Sequence, residues 1–263
     1  MMSSVKLLKW LFCTMCLITG HTVARAVELR TAAEDSAPKY LMRNGEMSGL
    51  CIDILKAIEA AAPDIKFTGY DRFYPKLRIE ASLAKGELDL FCGIGRTQKR
   101  NLLFSFLNTP LYWTEMRLAA RIDDPVDNVT LDGLKAANKN MIVLVVHGTE
   151  HVDYLLHNGV TNIDAGAHNT YNNLNKLIAG RGRLAYLTDL SLVHELSNKN
   201  FHSRLRILPG VINIQPEYLA ISNTIAKSIR DRLQEVLAHL HSRGDLKRLH
   251  MRYMQIDGPV LLH

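Results

Sequence analysis

Cysteine, tryptophan and proline are scarce in this sequence, at four, two and eight among 263 residues. Two of the cysteines, Cys13 and Cys16, fall in the first 26 residues, so no disulfide-dense scaffold is encoded and only Cys51 and Cys92 remain beyond them. No apolar run reaches the roughly 20 residues that a membrane span needs. The nearest candidate, Leu7 to Ile18, is short and interrupted by Lys9. Low-complexity tracts and internal repeats are absent, which argues against disorder and against a solenoid. Neither sign of charge dominates: the formal net charge is +6, and Lys6, Lys9 and Arg25 account for half of it, leaving +3 beyond residue 26. No basic stripe calls for nucleic acid. Gly93-x-Gly95-x-x-Gln98 lacks the third glycine of a dinucleotide fingerprint.

What is present begins with a leader. Lys6 and Lys9 open an apolar stretch through Leu11, Phe12, Met15 and Leu17, and Ala24-Arg25-Ala26 offers small residues at the cleavage positions. This reads as a secretory signal peptide over residues 1–26, removed after Ala26. An exported chain meets an oxidising compartment. Cys51 and Cys92 therefore admit two readings, a disulfide or a pair of buried free thiols.

Beyond the leader, strand-like and helix-like segments alternate. "VELRTAA" reads as a strand, and "GLCIDILKAIEAAAPD" places Leu50, Ile54, Ala57, Ile58 and Ala61 on one helical face that Pro63 closes. "IKFTGY" is a second strand, "YPKLRIEASLAKGE" a helix between Pro75 and Gly86, and "LDLFCGIG" a third strand. The pattern restarts after Asn128 with "NMIVLVV", "NTYNNLNKLIAGRG", "RLAYLTD" and "LSLVHELSNK", and ends in a long helix that Gly244 breaks. Such alternation predicts two α/β lobes with helices packed on mainly parallel sheets. Ligands bind such sheets beyond the carboxyl ends of their strands, and "FCGIGRTQKR", "VVHGTEH" and "YLTD" are the strand ends equipped for that.

His147-Gly-Thr-Glu150-His151 also matches the H-x-x-E-H spacing of one class of zinc peptidases. That chemistry needs both imidazoles on one helix face. The apolar strand before His147 delays the helix to about Thr149, so the rings diverge and no metal is expected.

The segments "GLCIDIL", "LAKGELD", "GIGRTQKRNLLFSFLNTPLYW", "LDGL", "HGT", "LIAGRGRLAYLTD" and "HLHSRGDLKRLHMRYM" resemble the periplasmic solute-binding proteins of ABC importers, in the family for polar amino acids. The likeness spans essentially the whole chain beyond the leader. It implies a two-lobed type II periplasmic binding protein fold with two crossover hinge segments: residues 27–115 and 216–263 in one lobe, 116–215 in the other. It further implies a periplasmic monomer that delivers a small polar ligand to a membrane permease, without catalysis, cofactor or nucleic acid. A dehydratase-like exported enzyme and a ligand-sensing partner of a membrane receptor are the alternatives on the same fold.

By the same resemblance Arg100 grips a ligand carboxylate through its planar fork, and Asp189 receives an ammonium. Gly93 and Gly95 offer backbone N–H groups beside Thr97. Phe73 or Tyr74, with Tyr40 as a further option, stacks on the ligand. Thr149, Glu150 and His151 form the facing wall. The chain departs from the family in having glycines at 93 and 95 where hydroxyls are usual, Arg96 where an apolar residue is usual, and Glu150 at a helix start that usually meets an anion. Glu150 and His151 suit a cationic or hydroxyl-rich end of a small solute.

Overall fold

The computed structural model describes residues 26–136 and 141–255; the expected leader lies, but for Ala26, outside them. The first half of the chain forms β1 (Val27–Arg30), the hairpin β2 (Leu41–Arg43) and β3 (Glu46–Ser48), α1 (Leu50–Ala61), β4 (Ile65–Thr68), α2 (Lys76–Lys85) and β5 (Leu90–Gly95). Short α3 (Gln98–Asn101) and β6 (Ser105–Phe106) lead to the long β7 (Tyr112–Arg121). There follow α4 (Leu131–Ala136), β8 (Val143–Val146), α5 (Glu150–His157), β9 (Ile163–Ala167), α6 (Thr170–Ile178), β10 (Leu184–Thr188), α7 (Asp189–Leu196) and α8 (Lys199–His202). The seventeen-residue β11 (Leu205–Ile221) then returns the chain to α9 (Lys227–Ser242) and α10 (Asp245–Met254). None of the described helices is long and apolar enough to cross a membrane.

Local chemistry explains these boundaries. In α1 the buried residues Leu50, Cys51, Ile54, Leu55 and Ile58 recur at helical spacing, and the helix ends just before Pro63. Gly86 closes α2 in the left-handed conformation, φ 74°, which glycine adopts without a side-chain clash. Gly244, φ 72°, separates α9 from α10 in the same way. All six residues of β5 are buried, so it reads in the sequence as an unbroken apolar run.

The main sheet has the order β5-β11-β7-β10-β8-β9, with β6 also on β11, while β1 pairs with β4 separately. Pairing is parallel between β1 and β4, β10 and β8, and β8 and β9, where helices supply the crossovers. It is antiparallel where β7 meets β10 and β11, and where β11 meets β5. Buried apolar residues gather into separate cores. One takes residues 29–112 and 219–246 together with Leu190, and two others take residues 116–208. These are the two lobes, and β7 and β11 run between them. Their long register slips between Ile207 and Asn213, around Pro209-Gly210, because proline has no N–H for the ladder.

Cys51 on α1 and Cys92 on β5 are free, buried thiols.

Gly49 opens α1 at φ 115°, and an added Cβ would stand 2.5 Å from the Lys39 carbonyl oxygen and 2.6 Å from that of Pro38. Gly49→Ala is expected to lower the unfolding free energy by more than about 1 kcal/mol, because both the backbone conformation and the space reject a side chain. The shift of the urea unfolding midpoint measures it.

Candidate functional site

A cavity of about 500 Å³ lies between the lobes. The first lobe contributes Glu34, Lys39, Phe73, Tyr74, Lys76 and Leu77, and the second His147, Thr149, Glu150, His151 and His168. Tyr112, Thr114 and Glu217 come from the connecting strands β7 and β11.

Glu34, just beyond β1, is 5% exposed and sits between two ammonium groups. Lys39 pairs with Oε1, to which Ser36 also donates at 3.0 Å, and Lys76 lies 3.4 Å from Oε2. Burial alone would raise its pKa, but the lysines outweigh it and hold the carboxyl at about 2. Burial opposes the charge on Lys39, while Glu34 and Glu217 reverse that and raise its pKa. Lys39 also donates to the Gly93 carbonyl at 3.0 Å.

Arg100 is 4% exposed and fully engaged. Its Nε and Nη2 donate to Glu80 Oε1 at 3.1 and 2.8 Å, and its Nη1 donates to the Gly95 carbonyl at 2.7 Å and to Glu150 Oε2 at 2.8 Å. Glu80 is on α2 and Glu150 on α5, so the guanidinium ties both lobes together. Burial works against its charge, but the two carboxylates prevail and raise its pKa. The Glu150 carboxylate lies over Gly95, where a Cβ would stand 2.8 Å from Oε1. Gln215 on β11 completes its shell at 3.3 Å. Burial would raise the Glu150 pKa, yet Lys76, Arg100 and its own helix-start N–H hold it well below the usual range.

Glu217 is the opposite case. It is 4% exposed, its Oε1 accepts from Gln215 at 3.3 Å, and its Oε2 has no partner among the described residues. Burial and the nearby Glu150 charge push its carboxyl up to about 7. His151 is buried with Nδ1 unpartnered, and burial lowers its pKa to about 4.

The structure thus brings Phe73, Tyr74, Thr149, Glu150 and His151 to the cleft. Gly93, Gly95, Thr97, Arg100 and Asp189 are not part of its wall. Thr97 accepts from the Arg100 N–H at 3.2 Å as the cap of α3. Asp189 turns its carboxylate to the N–H groups of Leu190 and Glu115, and burial raises its pKa to about 6. Tyr40 is in the core, donating to the Cys92 carbonyl at 2.8 Å. Glu34, Lys39, Lys76, Gln215 and Glu217 were not singled out from the sequence. The one available signal was a carboxylate in the apolar strand "PEYLAI".

The H-x-x-E-H spacing resolves as expected from the strand. β8 stops at Val146 and α5 starts at Glu150, with the Thr149 hydroxyl donating back to the Val146 carbonyl at 2.8 Å. His147 packs edge-on against His168 at 5.0 Å and His151 against Tyr186 at 6.0 Å, so the rings have separate partners.

The sequence model of the bacterial extracellular solute-binding proteins, family 3, matches residues 29–256. No curated protein matches the sequence. Among solved structures, a histidine kinase sensor domain with similarity to periplasmic binding proteins shares 19% identity at a TM-score of 0.73, covering 89% of this chain and 98% of its own. The substrate-binding protein of an amino acid ABC transporter shares 19% at 0.69, covering 86% and 99%. A mutant ArgBP from T. maritima shares 18% at 0.69, covering 86% and 94%. At these identities the likeness is one of fold.

Removing the buried Arg100 side chain would leave the partly buried Glu80 and Glu150 without their cation. Arg100→Ala is expected to destabilise the fold by about 3–5 kcal/mol, the range for breaking a buried pair from one side. Denaturant unfolding of the unliganded protein reads this directly.

Proposed function

The chain belongs to the bacterial extracellular solute-binding proteins, family 3, and from that premise we propose that it captures a small polar, amino-acid-like solute between its lobes and delivers it to the permease of an ABC importer. The observation that carries this reading is the 500 Å³ cavity, walled by both lobes and floored by the strands that join them. A volume of this size suits a small molecule, and its mixture of an apolar wall with a few charged groups is that of a ligand site. Phe73, Tyr74 and Leu77 supply the apolar wall, and the charged groups at the floor supply orientation.

In this proposal residues 27–115 and 216–263 close against residues 116–215, with the bending placed in β7 and β11 near the paired residues Glu115 and Ile214. The chain is exported with residues 1–26 removed and works in the periplasm as a monomer.

Thermal-shift screening of the exported chain against amino acids, polyamines and small organic acids tests the reading. A true ligand raises the unfolding temperature in proportion to the logarithm of its concentration, equivalent to about 2.7 kcal/mol at a hundredfold excess over Kd. The bound solute is expected to be recovered chemically unchanged by mass spectrometry. Its conversion to a product would assign the enzymatic alternative, and a panel with no stabilising solute would sink the proposal.

A further inference from the structure

Three residues that line this one cavity each carry a buried polar atom with no hydrogen-bond partner among the described residues: Tyr112 Oη, His151 Nδ1 and Glu217 Oε2. Buried polar groups are normally satisfied, so orphans that converge on a cavity point to a ligand that completes them. Tyr112 and Glu217 are directly opposite each other in the β7–β11 register, at the floor. The unshared oxygen of Glu217 can only accept while the carboxyl is ionised, so it calls for a donor.

The cations near the cleft are already matched. Lys39 and Lys76 both pair with Glu34, and Arg100 pairs with Glu80 and Glu150. Of the charged side chains in the wall, Glu34, Asp35, Glu150 and Glu217 outnumber Lys39 and Lys76. A ligand carboxylate entering here would meet an excess of its own charge, and to reach Arg100 it would have to displace Glu150. A ligand ammonium or guanidinium would meet Glu217, whose Oε2 has no hydrogen-bond partner among the described residues.

Resting on the solute-binding reading, we propose that the cleft selects an organic amine by its cationic group, which Glu217 receives, while Glu150 holds the place beside Arg100 that a ligand carboxylate would otherwise take. The ligand class is that of amino-acid-derived amines lacking the α-carboxylate. Tyr112 and His151 complete the polar floor, and the carbon chain lies along Phe73 and Tyr74.

Binding is also pH-dependent. Glu217 is surrounded by Glu150 and His151 of α5, Lys39, Lys76 of α2, Arg100 of α3, Tyr112 of β7, Cys92 of β5 and Gln215 on its own strand. With its carboxyl at about 7, an amine that binds near pH 6 must expel a proton from it. Affinity therefore rises with pH from 6 to 8.

The test is calorimetry on the exported chain with two matched pairs, agmatine against arginine and cadaverine against lysine, each differing by one carboxylate. At least one amine is expected to bind tenfold or more tighter than its amino acid, with proton release near pH 6. An amino acid that binds as tightly as its amine, or a carboxylate such as succinate that stabilises the protein when neither amine does, overturns the inference and leaves solute capture standing. Failure of all four probes overturns it too, and the broader thermal-shift panel then decides solute capture separately. Glu217→Gln is expected to weaken amine binding at least tenfold and abolish the pH dependence, with the unliganded unfolding temperature unchanged or higher. In Glu150→Ala the preference should move toward arginine; an unchanged ratio would overturn the role given to Glu150.

Discussion

The guanidinium of Arg100 is the group on which the arrangement of the cleft depends. Its planar fork reaches Glu80 on one side and Glu150 on the other while a third bond anchors it to the Gly95 carbonyl. Because Glu150 is at the start of α5, that contact fixes where the second lobe's helix terminus stands relative to β5. A helix start and an arginine are both anion sites, and a side chain of the protein itself occupies the point where they meet. Two further contacts cross the same gap: Asn169 donates to Asp35 at 2.6 Å and Ser191 to the Ala37 carbonyl at 3.2 Å.

The contrast between Glu150 and Glu217 follows from that placement. Glu217 is buried, Glu150 is partly buried, and both interact with Gln215. Glu150 has the guanidinium against it and its pKa falls, whereas Glu217 lacks an ion pair at hydrogen-bonding distance and its pKa rises. Unequal partners give the two carboxylates different protonation behaviour in one cavity. Lys76 lowers both carboxyls and Lys39 that of Glu217 without reversing the contrast, while both lysines pair with Glu34 at short range.

Much of the fold was legible in the sequence because helical spacing and apolar runs carry it. The buried face of α1, the break at Gly244 and the start of α5 after Thr149 all follow from residue patterns. The strands β7 and β11 were not read from the sequence as elements: β11 is seventeen residues long, mixes exposed with buried positions and contains Pro209, Gly210 and Pro216. In the cleft, the aromatic pair Phe73-Tyr74 and the "HGTEH" wall were legible. The orientation of Asp189 was not, since two backbone N–H groups compete for its carboxylate. Nor was the commitment of Arg100, which depends on Glu80 and Glu150, residues twenty and fifty positions away. Glu34, Lys39 and Glu217 come from segments without a motif and meet only through the fold.

Gly95 leaves the room that the Glu150 carboxylate fills, since even one added carbon would stand 2.8 Å from its oxygen. A side chain at position 95 would therefore make the Glu150 carboxylate shift from its present contact. The two positions, 55 residues apart in the chain, are thus coupled through a single carboxylate: whatever stands at 95 sets how closely residue 150 can approach Arg100.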